Sequence, residues 1–150
     1  DSPLHLAAET GNVDVAHLLL KRGAKVNALG NEGTTPVQRA AAEGHLAMCT
    51  VLKARGARLD LKSTVGDTAL HFAAHNGHLG VCKWLLAQGD LKVDTPGQKA
   101  TSALMRAAGS GHVDVVKELL SAGADISYSR SELSDTALHF VSSGRHQSCL

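Results

Sequence analysis

The 150-residue chain has room for one domain of ordinary size, and a 43% apolar fraction is enough for a core. Fifteen basic residues face fourteen acidic ones, and the formal net charge of +1 gives little reason to expect binding driven by nucleic-acid phosphates. Aromatic residues make up only 3%, too few for base-stacking platforms, and no apolar run is long enough to span a membrane. Asp1 to His5 show neither a signal-peptide pattern nor an initiator Met, so the chain is read as a piece of a longer protein. Its three cysteines cannot all pair and lack zinc-site spacing, which points to a reducing intracellular compartment, cytoplasm or nucleus.

The first predicted element begins at Ser2, a helix N-cap whose hydroxyl suits an unpaired backbone N–H, with Pro3 at the first helical position. Leu4 to Ala8 fill a short helix that Gly11 stops, and Gly23 stops a second helix of the same unit. The residues that follow are rich in turn formers with β-type residues between them, and they predict a hairpin-like finger. The same order then recurs. Thr35-Pro36-Val37-Gln38, Thr68-Ala69-Leu70-His71, Ser102-Ala103-Leu104-Met105 and Thr136-Ala137-Leu138-His139 align with Ser2-Pro3-Leu4-His5 at steps of 33, 33, 34 and 34 residues. Gly44, Gly77 and Gly111 repeat Gly11, while Gly56, Gly89 and Gly123 repeat Gly23. Second-helix apolar spacing is plainest in Leu79, Val81, Cys82, Leu85 and Leu86. Three marks in register over four units make a repeat array. Its units span 1–33, 34–66, 67–100 and 101–134, with 135–150 truncated.

This pattern resembles the ankyrin repeat, most closely in Leu4-His5-Leu6-Ala7-Ala8, Gly11-Asn12-Val13-Asp14-Val15 and Gly23-Ala24-Lys25-Val26-Asn27. The resemblance covers the chain and implies an all-α repeat solenoid of helix–turn–helix units with projecting β-hairpin fingers. No helix pair buries its apolar face alone, so stacked units share one core. Departures are local. Units three and four each carry one extra residue after the second helix, and Ala100 and Ser134 replace the glycine seen at Gly33 and Gly66. Those two fingers are expected to differ in shape from the ones that carry Gly33 and Gly66. Arg145 stands where unit five should have its first glycine, so that end is expected to be the least stable. Glu118 occupies a place held by Leu18, Val51 and Trp84 elsewhere, consistent with a tilt toward solvent.

Nine histidines invite a metal reading, and His71 and His75 have the i, i+4 spacing of a zinc helix. Phe72, however, follows His71 where a zinc-protease motif needs a general-base Glu. Seven histidines also recur at two fixed places. His5, His71 and His139 lie three residues after the cap, and His45, His78, His112 and His146 lie ten after it. Recurrence of this kind marks structural side chains that bond neighbouring loops. Cys49 and Cys82 are equivalent residues of successive units, about 8–10 Å apart and beyond disulfide reach. They read as buried free thiols, with Cys149 in the truncated last helix. No metal, cofactor, small-molecule substrate or catalytic site is expected. A methyl-lysine cage fails as well, because Trp84 sits at a core position and Tyr128 stands alone.

What the resemblance implies is a binding module that holds another protein on a concave face of first helices and fingers. Helical spacing puts the places four, seven and eight after the cap on that face. They select Arg39, Phe72, Arg106 and Phe140, then Glu43, His75, Asn76 and Ser110, with Gly109 leaving room for a bulky side chain. Arg39 and Arg106 lie roughly 20 Å apart if each unit adds about 10 Å, which predicts an extended partner segment with two spaced acidic groups. The fingertips form a second candidate set: Asn31, Glu32, Thr64 and Val65, then Gln98, Lys99, Glu132 and Leu133. Asn27, in a Val-Asn step with Leu19 eight residues before it, matches the family's asparagine-hydroxylation pattern. The competing reading is a rigid structural spacer inside a larger enzyme, channel or scaffold.

Overall fold

Ser2, Thr35, Thr68 and Ser102 each cap a helix in the computed structural model, which describes residues 1–127. Among these residues the chain forms eight α-helices: α1 (Pro3–Thr10), α2 (Val13–Lys21), α3 (Pro36–Glu43), α4 (Leu46–Ala54), α5 (Ala69–His75), α6 (Leu79–Gln88), α7 (Ala103–Ser110) and α8 (Val113–Ser121). Pro3 and Pro36 sit at the helix starts, where a missing N–H costs no hydrogen bond. Gly11, Gly44 and Gly111 end the first helices in the left-handed conformation that only glycine takes freely. The predicted all-α repeat solenoid is therefore what the chain forms.

Within each unit the two helices pack together. Between units, α1, α3, α5 and α7 pack in succession, and α2, α4, α6 and α8 form the second row. The close stacking of the first row follows from alanine pairs. Ala7-Ala8, Ala40-Ala41, Ala73-Ala74 and Ala107-Ala108 are all buried and let neighbouring backbones approach. Leu4, Val37, Leu70 and Leu104, at matching places of the four first helices, are buried in the shared core. In the second row, Leu52, Leu85 and Leu119 are fully buried, and truncation of any of them to Ala should cost roughly 2–5 kcal/mol. Cys49 and Cys82 are buried free thiols in that row. Burial pushes both up to about 12, so both stay protonated near neutral pH. Glu118 is half-buried, and its charge adds to the rise at Cys82.

The fingers differ from expectation. No strand forms among the described residues, so the projecting β-hairpins are replaced by tight turns. Only one bond closes the base of each finger: Gly30 N–H to Thr34 O, Ser63 N–H to Asp67 O and Gly97 N–H to Thr101 O, at 2.8, 2.9 and 2.8 Å. One closing bond makes no ladder. At two tips, Glu32-Gly33 and Lys99-Ala100, both central residues have positive φ (58°, 64° and 53°, 56°), the mark of a type I′ turn. The finger with Ala100 therefore matches the one with Gly33, and it is the Gly66 finger, where Val65 keeps an ordinary φ, that differs. The extra residue of unit three is absorbed upstream. Thr95 N–H bonds Lys92 O just as Ala28 N–H bonds Lys25 O, so everything after it is back in register. The Ser134 finger and the predicted weakness of unit five lie outside the described residues.

Candidate functional site

In units one to three the third residue after the cap ties a helix to its own finger. His5 Nδ1 accepts from Ser2 N–H at 3.0 Å, which leaves Nε2–H to donate to Thr34 O at 2.9 Å. His71 repeats this with Thr68 N–H and Thr101 O, both at 3.2 Å. Gln38 does the same with an amide: Oε1 accepts from Thr35 N–H at 2.8 Å and Nε2 donates to Leu61 O at 2.7 Å. With both ring nitrogens engaged, His71 has no lone pair to offer a metal. Its burial, with help from the Arg106 charge and against that of Asp67, holds its pKa below the ordinary imidazole value. The second histidine series reaches backward. His45, His78 and His112 place Nε2 at 2.9 Å from Glu9 O, Ala42 O and His75 O, at the ends of the preceding first helices. These bonds satisfy carbonyls that a helix end leaves open.

On the first-helix face, two charged joints stand out. Arg39 Nη2 donates to both oxygens of Asp1 at 3.2 Å, and its Nε donates to Thr34 Oγ1 at 3.1 Å. Arg106 makes the same contacts with Asp67, at 2.9 and 2.7 Å, and with Thr101 Oγ1 at 3.0 Å. Each aspartate also accepts a fingertip N–H at 2.7 Å, from Asn31 or Gln98. Gly30 and Gly97 make this approach possible, since a Cβ on either would lie 2.3 Å from the aspartate Oδ1. On this face the joint between units two and three is neutral instead, and the Lys53–Asp90 ion pair that links those units lies at the ends of the second helices. In the neutral joint Ser63 Oγ accepts from Asp67 N–H, and Gln38 Nε2 donates to Asp67 O. On the first-helix face the three described joints thus run charged, neutral, charged.

Beside Arg106 the face opens into a cleft of about 240 Å³, lined by His75, Thr101, Met105, Arg106, Gly109 and Ser110. Ser110 Oγ lies 3.0 Å from His75 Nδ1. Partial burial and the neighbouring Arg106 and His112 hold the His75 pKa below the ordinary value. Among the described residues no group of three or more His, Cys, Asp or Glu converges in a metal-binding arrangement, and no helix is long and apolar enough to cross a membrane.

The family model for ankyrin repeats (3 copies) matches residues 1–63 and 55–130. The chain belongs to the ankyrin repeat family. No match is found among curated proteins. Ankyrin repeats are generally protein–protein interaction modules, and among the described residues the helices follow that architecture.

The predicted residues of this ankyrin face do not all converge on one place. Arg106, His75 and Ser110 gather at the cleft, with half-buried Phe72 in the same row on α5. Arg39 is drawn away from partner recognition by Asp1 and by Glu9, whose Oε2 lies 3.6 Å from Nη1. The two arginines expected to face two acidic partner groups are already engaged by carboxylates of preceding units, Arg39 by two and Arg106 by one. Glu43 is exposed, and Asn76 donates to Ala42 O at 2.8 Å. Of the fingertips, Asn31, Glu32, Thr64, Val65 and Lys99 are exposed, and Thr64 N–H bonds Glu32 O across adjacent fingers. Gln98 is half-buried, with Oε1 3.3 Å from Arg106 Nη2. Asn27 bridges two units, as Nδ2 donates to Gly56 O and Oδ1 accepts from Arg58 N–H. Phe140, Glu132 and Leu133 lie outside the described residues.

Sequence reasoning missed Asp1, Thr34, Asp67 and Thr101. The signal was present. The residue before the cap alternates Asp1, Thr34, Asp67, Thr101, Asp135, in step with Leu6, Arg39, Phe72, Arg106, Phe140 four after it. The array therefore has a period of two repeats.

Proposed function

We propose that this domain is a non-enzymatic binding module that holds a partner protein on its first-helix face and fingertips, in the cytoplasm or nucleus. The observation that carries this reading is the open cleft at His75, Arg106, Gly109 and Ser110, on a face where Arg39, His71 and Asn76 are already engaged in structural bonds. Among the described residues five of the seven histidines bond a finger or a neighbouring helix end, and the two cysteines of the second row are protonated and buried. Neither series offers a nucleophile or an acid–base pair to a substrate. Asn27 is a modification candidate of the same module, to be read by intact-mass and peptide analysis of the cellular protein.

The test is a paired capture from lysate. One bait is the domain, a second carries Phe72→Ala with Glu43→Arg, and a third carries Lys83→Ala with Lys117→Ala on the second row. A protein lost only from the second bait identifies the partner and locates it on the first-helix face. Equal capture by all three removes the reading and favours a rigid spacer.

A further inference from the structure

The array contains its own picture of how a carboxylate sits against an arginine on this face. At the first charged joint, Arg39 uses Nη2 for Asp1, Nε for Thr34 and Nη1 for Glu9. At the second joint Arg106 repeats the first two contacts with Asp67 and Thr101. The third is missing, because the residue equivalent to Glu9 is His75. The residue equivalent to Glu43, one place further along the next unit's helix, is Ser110. The Glu9 carboxylate of the first joint is thus replaced by a neutral ring, Ser110 stands where unit two carries the exposed Glu43, and the cleft lies at that spot. Arg106 Nη1 has no partner among the described residues.

We infer that this cleft takes a carboxylate side chain, a glutamate or aspartate, from the partner protein, seated against Arg106 Nη1 beside His75 and Ser110. The inference rests on the reading of this face as a protein-binding surface and names what it recognises. Arg106 is held in place by Asp67 and Thr101, so its unused N–H groups are pre-aimed, and little side-chain freedom is lost on binding. Met105 and Gly109 give the methylene part of the side chain an apolar wall. A charge-assisted hydrogen bond to a carboxylate is short and about twice as strong as a neutral one. The inserted group takes the place that Glu9 holds at Arg39.

The test uses N-acetylglutamate N′-methylamide and its glutamine twin as probes, read by NMR at the His75 ring and the Arg106 Nε–H. His75→Glu copies Glu9 and sets an internal carboxylate against Arg106, while Ser110→Glu copies Glu43 and adds negative charge to the cleft lining; both residue types are already carried at these helix places. The expected result is a saturable shift with the glutamate probe alone, weakened about tenfold or more in both variants. Equal response to the glutamine twin, no response, or an unchanged response in the variants overturns the inference. Any partner found by capture separates this from the broader reading. A partner that still binds His75→Glu but is lost with Phe72→Ala sinks the carboxylate and keeps the binding face, whereas a partner unaffected by either sinks both.

Discussion

Arg106 Nη2 lies 2.7 Å from Asp67 Oδ2, joining residues 39 apart in sequence through a carboxylate that is only 5% exposed. The pair couples unit three to unit four from within the stack. Removal of one member of a buried pair leaves the other charged without compensation. Arg106→Met should therefore cost about 2–4 kcal/mol, whereas Arg39→Met, beside the more exposed Asp1 and Glu9, should cost about 1 kcal/mol or less. Urea unfolding of both variants checks the contrast. The double variant Arg106→Met, Asp67→Asn should recover part of the larger loss, as expected for directly coupled residues.

His71 makes stability depend on pH. Its folded pKa is depressed, chiefly by burial, so the unfolded chain binds a proton first as the pH falls. The contribution is complete above the unfolded value of about 6.5 and is lost progressively as the pH drops toward the folded value. Gln38 does the same bonding in unit two without titrating. His71→Gln should therefore match the parent within about 1 kcal/mol at pH 8 and lose less stability between pH 7 and 5. Thermal melts across that range decide it, and parallel pH profiles would count against the assignment.

Gly97 has an ordinary negative φ, so its requirement is one of space alone. A Cβ there would stand 2.3 Å from Asp67 Oδ1 and 2.6 Å from His71 Cδ2, two side chains already fixed by other bonds. Gly97→Ala should destabilise by about 1–3 kcal/mol. The same change at Gly30 should be milder, because Asp1 is better able to swing aside. Chemical denaturation of the two variants gives the comparison.

Ala100 presents the opposite case. It holds φ at 56°, in the place where Gly33 and Gly66 stand in the other fingers. The left-handed conformation costs a non-glycine residue about 1–2 kcal/mol, and added freedom in the unfolded chain offsets part of the relief that glycine brings. Ala100→Gly should raise stability by about 0.5–1 kcal/mol. A fall in melting temperature would refute the strain.

The helix pairs were legible in the sequence because caps, alanine pairs and stop glycines report on local geometry, and each recurs in units one to four. The structural use of His5, His71, His45, His78 and His112 was legible for the same reason. What escaped depends on which neighbour a side chain meets. Arg39 and Arg106 look like free cations along one helix face, and nothing in a single repeat says that Asp1 and Asp67 reach them from the previous unit. The finger shapes escaped in the same way. The glycine two before the cap looked decisive, yet Asn31 N–H and Gln98 N–H are drawn to Asp1 and Asp67, and Ala100 is bent to fit the turn that results. At His75 and Ser110 the sequence showed a small polar surface, but the cleft became visible only by comparison with Glu9 and Glu43 at the other charged joint.

The alternation of charged and neutral joints gives position along this solenoid a parity. Excision of residues 34–100 would put unit one before unit four, where Arg106 and Thr101 offer Asp1 the same contacts that Arg39 and Thr34 provide now. Excision of residues 34–66 alone would set Asp1 beside Asp67, with Phe72 where a guanidinium belongs. The quantum in which such an array can be shortened, lengthened or recombined without breaking its joints is then the pair of repeats, so homologous exchange between odd and even units would be selected against even where the helices themselves fit.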